Sequence, residues 1–126
     1  MKTLSGEVFS GLGEAQNYLS FKPYQEKIDQ LVGFRPFAGT LNLKVNPKEL
    51  NQLKQKVACS RIDEFGYKSR NCSALDIYPI KLPDTDAAYI DIEITDYGDD
   101  VMEIIAPINL REELNLYDGD VLEIKY

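Results

Sequence analysis

The chain has 126 residues, 14 basic and 21 acidic with no histidine, for a formal charge of −7, and is 44% hydrophobic and 28% charged. This is ordinary globular usage, so a fibrous or disordered chain is excluded. The acidic balance opposes the counterion release that drives non-specific nucleic-acid binding, and the missing imidazole removes the commonest neutral-pH base and zinc ligand.

The length suits one domain, 1–126, burying about 65–70% of its unfolded surface. Apolar runs fall far short of the roughly 20 residues that cross a bilayer, and no apolar h-region follows Met1-Lys2, so a soluble cytoplasmic protein without membrane partner is expected. Cys59 and Cys72 lack metal-ligand spacing and read as reduced structural thiols.

In chain order, Thr3 to Phe9 and Gln16 to Ser20 read as two strands around a turn built on Gly11 and Gly13. A helix follows from Pro23, suited to a first-turn position, through Tyr24, Ile28, Leu31 and Val32 to a stop at Gly33. "RPFAGTLNLKV" alternates Leu41, Leu43 and Val45 against Thr40, Asn42 and Lys44, the pattern of a half-buried strand. "NPKELNQLKQ" is a short helix capped by Asn46, with Pro47 at its first position.

Then come a hairpin through "DEFGYKS", a strand "CSALDIYPIKL", a turn "PDTD", a strand "AAYIDIEI" and a loop "TDYGDD". The chain closes with a strand "VMEIIAP", a short helix "NLREELNL" capped by Asn109, a turn "YDGD" and a strand "VLEIKY". Many short strands with a few short helices imply a mainly β protein, a small barrel with peripheral helices.

Strand alternation puts the oxygens of Thr40 and Asn42 on one face a few ångströms apart. Such a pair suits a hard cation that keeps several waters and takes one or two protein oxygens plus phosphates, although on spacing alone Thr-x-Asn is more often an ordinary solvent-facing pattern. "SGLGEA" lacks the lysine of a P-loop and fits neither that motif nor the dinucleotide fingerprint; alone it is a hairpin turn. In "INLREEL", amides at a helix start and the forked donor Arg111 suit an anion, or Arg111 is solvated or paired to a carboxylate on an amphipathic helix. Glu103 lies in an apolar strand, where a carboxylate is costly unless it meets solvent or a partner.

In that order and at similar separations, "GEVFSGLGEAQNYLS", "YQEKIDQLVGFRPFAGTLNLKV" and "MEIIAPINLREELNLYDGDVLEI" resemble the archaeal CTP-dependent riboflavin kinases. The resemblance runs from about Gly6 to Ile124, with Leu50 to Ala87 the least distinctive part. It implies a six-stranded cradle-loop β-barrel that moves the terminal phosphoryl group of CTP to the 5′-hydroxyl of riboflavin, giving FMN and CDP with Mg2+. Matched residue by residue, nucleotide contacts fall on Gly11, Leu12, Gly13, Glu14, Ala15 and Gln16 and on Ile108, Asn109, Leu110 and Arg111. The metal ligands match Thr40 and Asn42, the flavin contacts Thr95 and Glu103, and Glu103 is the catalytic candidate.

The family often has glycine and a basic residue at Ala15 and Gln16, and lysine at Asn109, so two potential cations are replaced here. A monomer acting on small molecules is expected, without the amino-terminal DNA-binding domain of longer relatives. Two other readings remain: a non-catalytic flavin or nucleotide-binding barrel, and a swapped-hairpin DNA-binding regulator suggested by "LNLYDGDVLEI", against which the charge of −7 counts.

Overall fold

The computed structural model describes residues 1–13, 16–93, 95 and 97–126, with residues 16 and 17 described by their backbone. Its elements are β1 (Thr3–Phe9), α1 (Gln16–Leu19), α2 (Lys22–Val32), β2 (Leu41–Lys44), α3 (Pro47–Lys56), β3 (Ser60–Ile62), β4 (Phe65–Tyr67), β5 (Arg70–Cys72), β6 (Leu75–Leu82), β7 (Thr85–Ile92), β8 (Val101–Ile105), α4 (Leu110–Glu113) and β9 (Val121–Lys125). No helix among the described residues is long and apolar enough to cross a membrane.

The strands β6, β7, β8, β2, β1 and β9 pair antiparallel in that order, and a pairing of Lys81 with Lys125 joins β9 back to β6. The result is a closed six-stranded barrel. β3 extends from β6 outside the ring, and β4–β5 is a separate hairpin. Next to the closing pair the backbones of Lys2 and Tyr126 exchange hydrogen bonds, at 2.8 and 2.9 Å.

Alternation decides which side chains fill the barrel. Leu4 and Val8 of β1, Leu41 and Leu43 of β2, Tyr78 and Ile80 of β6, Tyr89 of β7, Met102 and Ile104 of β8 and Ile124 of β9 belong to one buried cluster. Leu50 and Leu53 of α3 join it from the end where β2 finishes, and Leu110 of α4 from the end where β2 begins. The α3 start is built as its sequence suggests: the Asn46 side chain accepts from the Lys48 and Glu49 amides.

The outward residues of β6, β7 and β8 are also apolar and need a second cover. Ile77, Ala88, Ile90 and Ile105 pack with Leu19 of α1, Tyr24 and Ile28 of α2, Ile62 of β3 and Cys72 of β5. The Tyr24 hydroxyl donates to the Ser73 carbonyl at 2.7 Å, so its polar tip is satisfied inside this layer.

Two expectations change. Gln16–Leu19 is one helical turn rather than a strand, because its apolar end, Leu19, is fully buried beside α2 instead of pairing with β1. The edge strand β3 was not expected; it is only three residues long, too short to declare a period.

Ile28 is fully buried in the outer layer while Leu31 on the same helix is 40% exposed. Ile28→Ala should therefore cost about 2–5 kcal/mol by loss of burial and cavity formation, read as a lower urea midpoint. Leu31→Ala should move that midpoint far less.

Candidate functional site

At the mouth of the barrel, where β1 and β8 end and β2 begins, lies a cleft of about 300 Å³. Its walls include Ser10, Gly11 and Gly13 after β1, Phe37, Gly39, Thr40 and Asn42 leading into β2, and Ile108, Asn109, Leu110 and Arg111 around α4. Of the residues singled out in the sequence, Gly11, Gly13, Thr40, Asn42, Ile108, Asn109, Leu110 and Arg111 are thus brought together from three distant segments. Leu12 points outward, 62% exposed. Glu14 and Ala15 lie outside the described residues, and Gln16 is described only as the start of α1.

The two glycines answer to different needs. Gly13 has φ 75°, a left-handed turn conformation that costs glycine nothing. A Cβ on Gly11 would collide with the Asn42 amide and the Tyr97 hydroxyl, so this glycine is there for close approach.

Thr40 and Asn42 do share a face: the Thr40 hydroxyl donates to Asn42 Oδ1 at 3.3 Å. Register puts Asn42 opposite Phe9 on β1 and opposite Glu103 on β8, and Glu103 in turn opposite Ile90 on β7. The buried polar or charged side chains among the described residues are Asn42 and Glu103, each 8% exposed. A carboxylate this buried is costly to hold for stability alone, and it adjoins the Thr40–Asn42 pair. Among the described residues no cluster of three or more His, Cys, Asp or Glu could hold a metal, so a cation here would depend on hydroxyl and amide oxygens.

Thr95 is not in the cleft. It is exposed in the loop between β7 and β8, where its Oγ1 accepts from the Tyr97 amide at 3.2 Å. That loop doubles back along β2: Asp100 binds Lys44 Nζ at 3.0 Å and accepts from the Val45 amide, and Tyr97 reaches the glycine loop.

Arg111 is paired to a carboxylate, one of the states its sequence allows, and the partner that the sequence does not identify is Asp118. Its Nη2 lies 2.6 Å from Asp118 Oδ1 and 3.5 Å from Ser10 Oγ, and Ser10 itself donates to Asp118 at 2.8 and 3.0 Å. Hydrogen bonds from Arg111 first, then Ser10, hold the Asp118 carboxyl below the usual carboxylate range. The helix expected over "NLREELNL" is a single turn, and Asn109 stands at its N-cap without a side-chain cap bond. A helix this short has little dipole to offer an anion, so charge at this wall comes from Arg111. Asp118 lies in the "YDGD" turn and Tyr97 in the "TDYGDD" loop, segments without periodicity that announce turns but not their long-range contacts.

Residues 8–126 match the family model CTP-dep_RFKase, described as "Domain of unknown function DUF120". The chain is 40% identical to a riboflavin kinase of Pyrobaculum islandicum over 97% of its own length and 59% of that protein. It is 39% identical to a riboflavin kinase of Methanosarcina acetivorans over 93% of itself and 50% of the relative. With a riboflavin kinase of Methanococcus aeolicus the identity is 33%, covering 99% of this chain and 98% of the other. The chain therefore spans between half and three-fifths of the first two relatives and nearly all of the third.

Because the Asp118 carboxyl is acidified by folding, its contribution to stability is complete above the unfolded value of about 3.9 and lost as pH falls through the lower folded value. Asp118→Asn should lower the urea midpoint at pH 7, and the gap from the parent protein should close as the pH is taken below about 3.9.

Proposed function

Since the chain belongs to the CTP-dependent riboflavin kinase family, we propose that it transfers the terminal phosphoryl group of CTP to the 5′-hydroxyl of riboflavin, giving FMN and CDP. The observation that carries this reading is the barrel-mouth cleft, where the glycine loop, Thr40 with Asn42, and Ile108 to Arg111 meet. These are the segments that correspond to the family's nucleotide and metal positions.

The family implies a divalent cation, and the donor set fits one. The Thr40 and Asn42 oxygens are hard, neutral and 3.3 Å apart, close to the roughly 2.9 Å between adjacent oxygens around an octahedral Mg2+ with bonds near 2.0–2.1 Å. When bound there, Mg2+ would neutralise charge on phosphate oxygens. The chain's own part is positional. Gly13 gives the loop its left-handed turn and leaves open space for the polyphosphate, Gly11 lets the loop close on Asn42 and Tyr97, and Arg111, anchored by Asp118 and Ser10, presents its guanidinium beside the loop.

In the transfer, the bond from the γ-phosphorus to the bridging oxygen of CTP breaks and a bond from that phosphorus to the riboflavin 5′-oxygen forms. The transition state is loose, so positioning and charge neutralisation do most of the work and the absence of histidine is no obstacle. Glu103, beside Asn42 on the next strand, orients the attacking hydroxyl and is the candidate to take its proton; Thr95 bonds the flavin from the returning loop. The roles of Thr95 and Glu103 follow the family match.

Incubation with riboflavin and each of the four nucleoside triphosphates, with and without Mg2+, should yield FMN with CTP and Mg2+. Thr40→Ala with Asn42→Ala should then lower turnover by about 100-fold or more, a loss of roughly 2.7 kcal/mol in transition-state stabilisation, with the unfolding midpoint little changed. FMN formation by the double variant at the parent rate would remove the pair from the mechanism. Arg111→Gln should raise KM for CTP about tenfold, as expected for losing a charge-assisted contact, and leave KM for riboflavin near its parent value; an equal rise in both would make Arg111 structural.

A further inference from the structure

We propose that Tyr97 is a positioning residue that couples the two substrate sites, tying the loop that carries Thr95 to the glycine loop that lines the nucleotide cleft. The idea rests on the functional reading above, in which those loops hold riboflavin and CTP.

Four observations converge on this side chain. Its hydroxyl accepts from the Leu12 amide at 2.8 Å, across 85 positions of sequence. Its ring meets Phe9 edge to face, with centroids 6.0 Å apart at 83°, so the hydroxyl is aimed by packing at the last residue of β1. Its own amide donates to Thr95 Oγ1 at 3.2 Å. The hydroxyl also lies so close to Gly11, beside the Asn42 amide, that a Cβ there has no room. One phenol thus touches the glycine loop, adjoins the Thr40–Asn42 pair and is bonded through its backbone to the candidate flavin contact.

Among the described residues the other anchors of this loop lie elsewhere: the Glu93 amide donates to the Ala74 carbonyl and its carboxylate pairs with Arg61, and Asp100 holds Lys44 and Val45 at the far end of β2. Among the described residues, Tyr97 carries the hydrogen bond from this loop to the glycine loop. A ligand that orders the Thr95 side favours the arrangement in which Leu12 is held, and thereby favours nucleotide in the cleft. By linkage the effect is reciprocal: whatever factor riboflavin applies to nucleotide affinity, nucleotide applies to riboflavin.

The test is the dissociation constant of CDP, in the presence of Mg2+, measured with and without saturating riboflavin for the full chain and for Tyr97→Phe, which keeps the ring on Phe9 and removes the acceptor. In the parent protein riboflavin should tighten CDP about fivefold, the scale of one hydrogen bond, and CDP should tighten riboflavin by the same factor. In Tyr97→Phe the factor should fall to about one at an unchanged unfolding midpoint. A parent factor of one, or the same factor in both proteins, overturns the proposal while leaving the kinase reading intact. Failure of the parent protein to bind either ligand removes the kinase reading and the proposal with it. A second measurement needs no variant: hydrogen exchange of the Leu12 amide should slow on adding riboflavin alone, and an unaltered rate would equally overturn the coupling.

Discussion

Everything at the barrel mouth depends on the pleat of β2, a strand of only four residues held between β1 and β8. Leu41 and Leu43 go inward because the barrel needs filling, and that choice alone turns Asn42 outward against Phe9 on one side and Glu103 on the other. A slip of one residue in either pairing would turn the amide into the barrel among the apolar side chains and carry the leucines to the outer face. The apolar interior and the polar site are thus two faces of one register. The stabilising free energy of the first fixes the geometry of the second, without the site residues having to stabilise the fold themselves.

Much of this register was legible in the residues. The alternation in "TLNLKV", the helix from Pro23 to Gly33 and the Asn46-Pro47 start of α3 are local signals whose physics is complete within a few positions, and they appear where expected. The segment from Gln16 was misread because four residues cannot show a period, and its helical state is decided by Leu19 docking in the outer layer. The gathering of Thr40 with Asn42 followed from strand geometry. The approach of Ile108 to Arg111 from a different part of the chain did not, and was expected only from family resemblance. Asp118 beneath Arg111 and Tyr97 above Leu12 went unforeseen for the same reason: a side-chain bond spanning a fold leaves no mark on the spacing of either partner.

The electrostatic design is compatible with the nucleotide proposed for this acidic chain. Net charge sets the long-range field, but that field is screened within about 10 Å at ordinary salt, and what a phosphate meets is local. Here the local supply is one guanidinium fixed in place by a carboxylate and a hydroxyl, backbone exposed by glycines, and neutral oxygens suited to a cation. Asp118 lowers the net positive charge of that wall while fixing the direction of its donors, exchanging raw attraction for orientation.

The exchange of backbone hydrogen bonds between Lys2 and Tyr126 has a topological consequence. β1 runs toward the mouth and β9 away from it, so the chain enters and leaves side by side at the opposite pole of the barrel. A polypeptide attached at either end begins its path on the side away from the cleft, and the body can be appended to other modules without obstructing the barrel mouth. The same adjacency makes this architecture a natural subject for circular permutation, in which a short bridge across that pole lets new ends be cut in a surface loop.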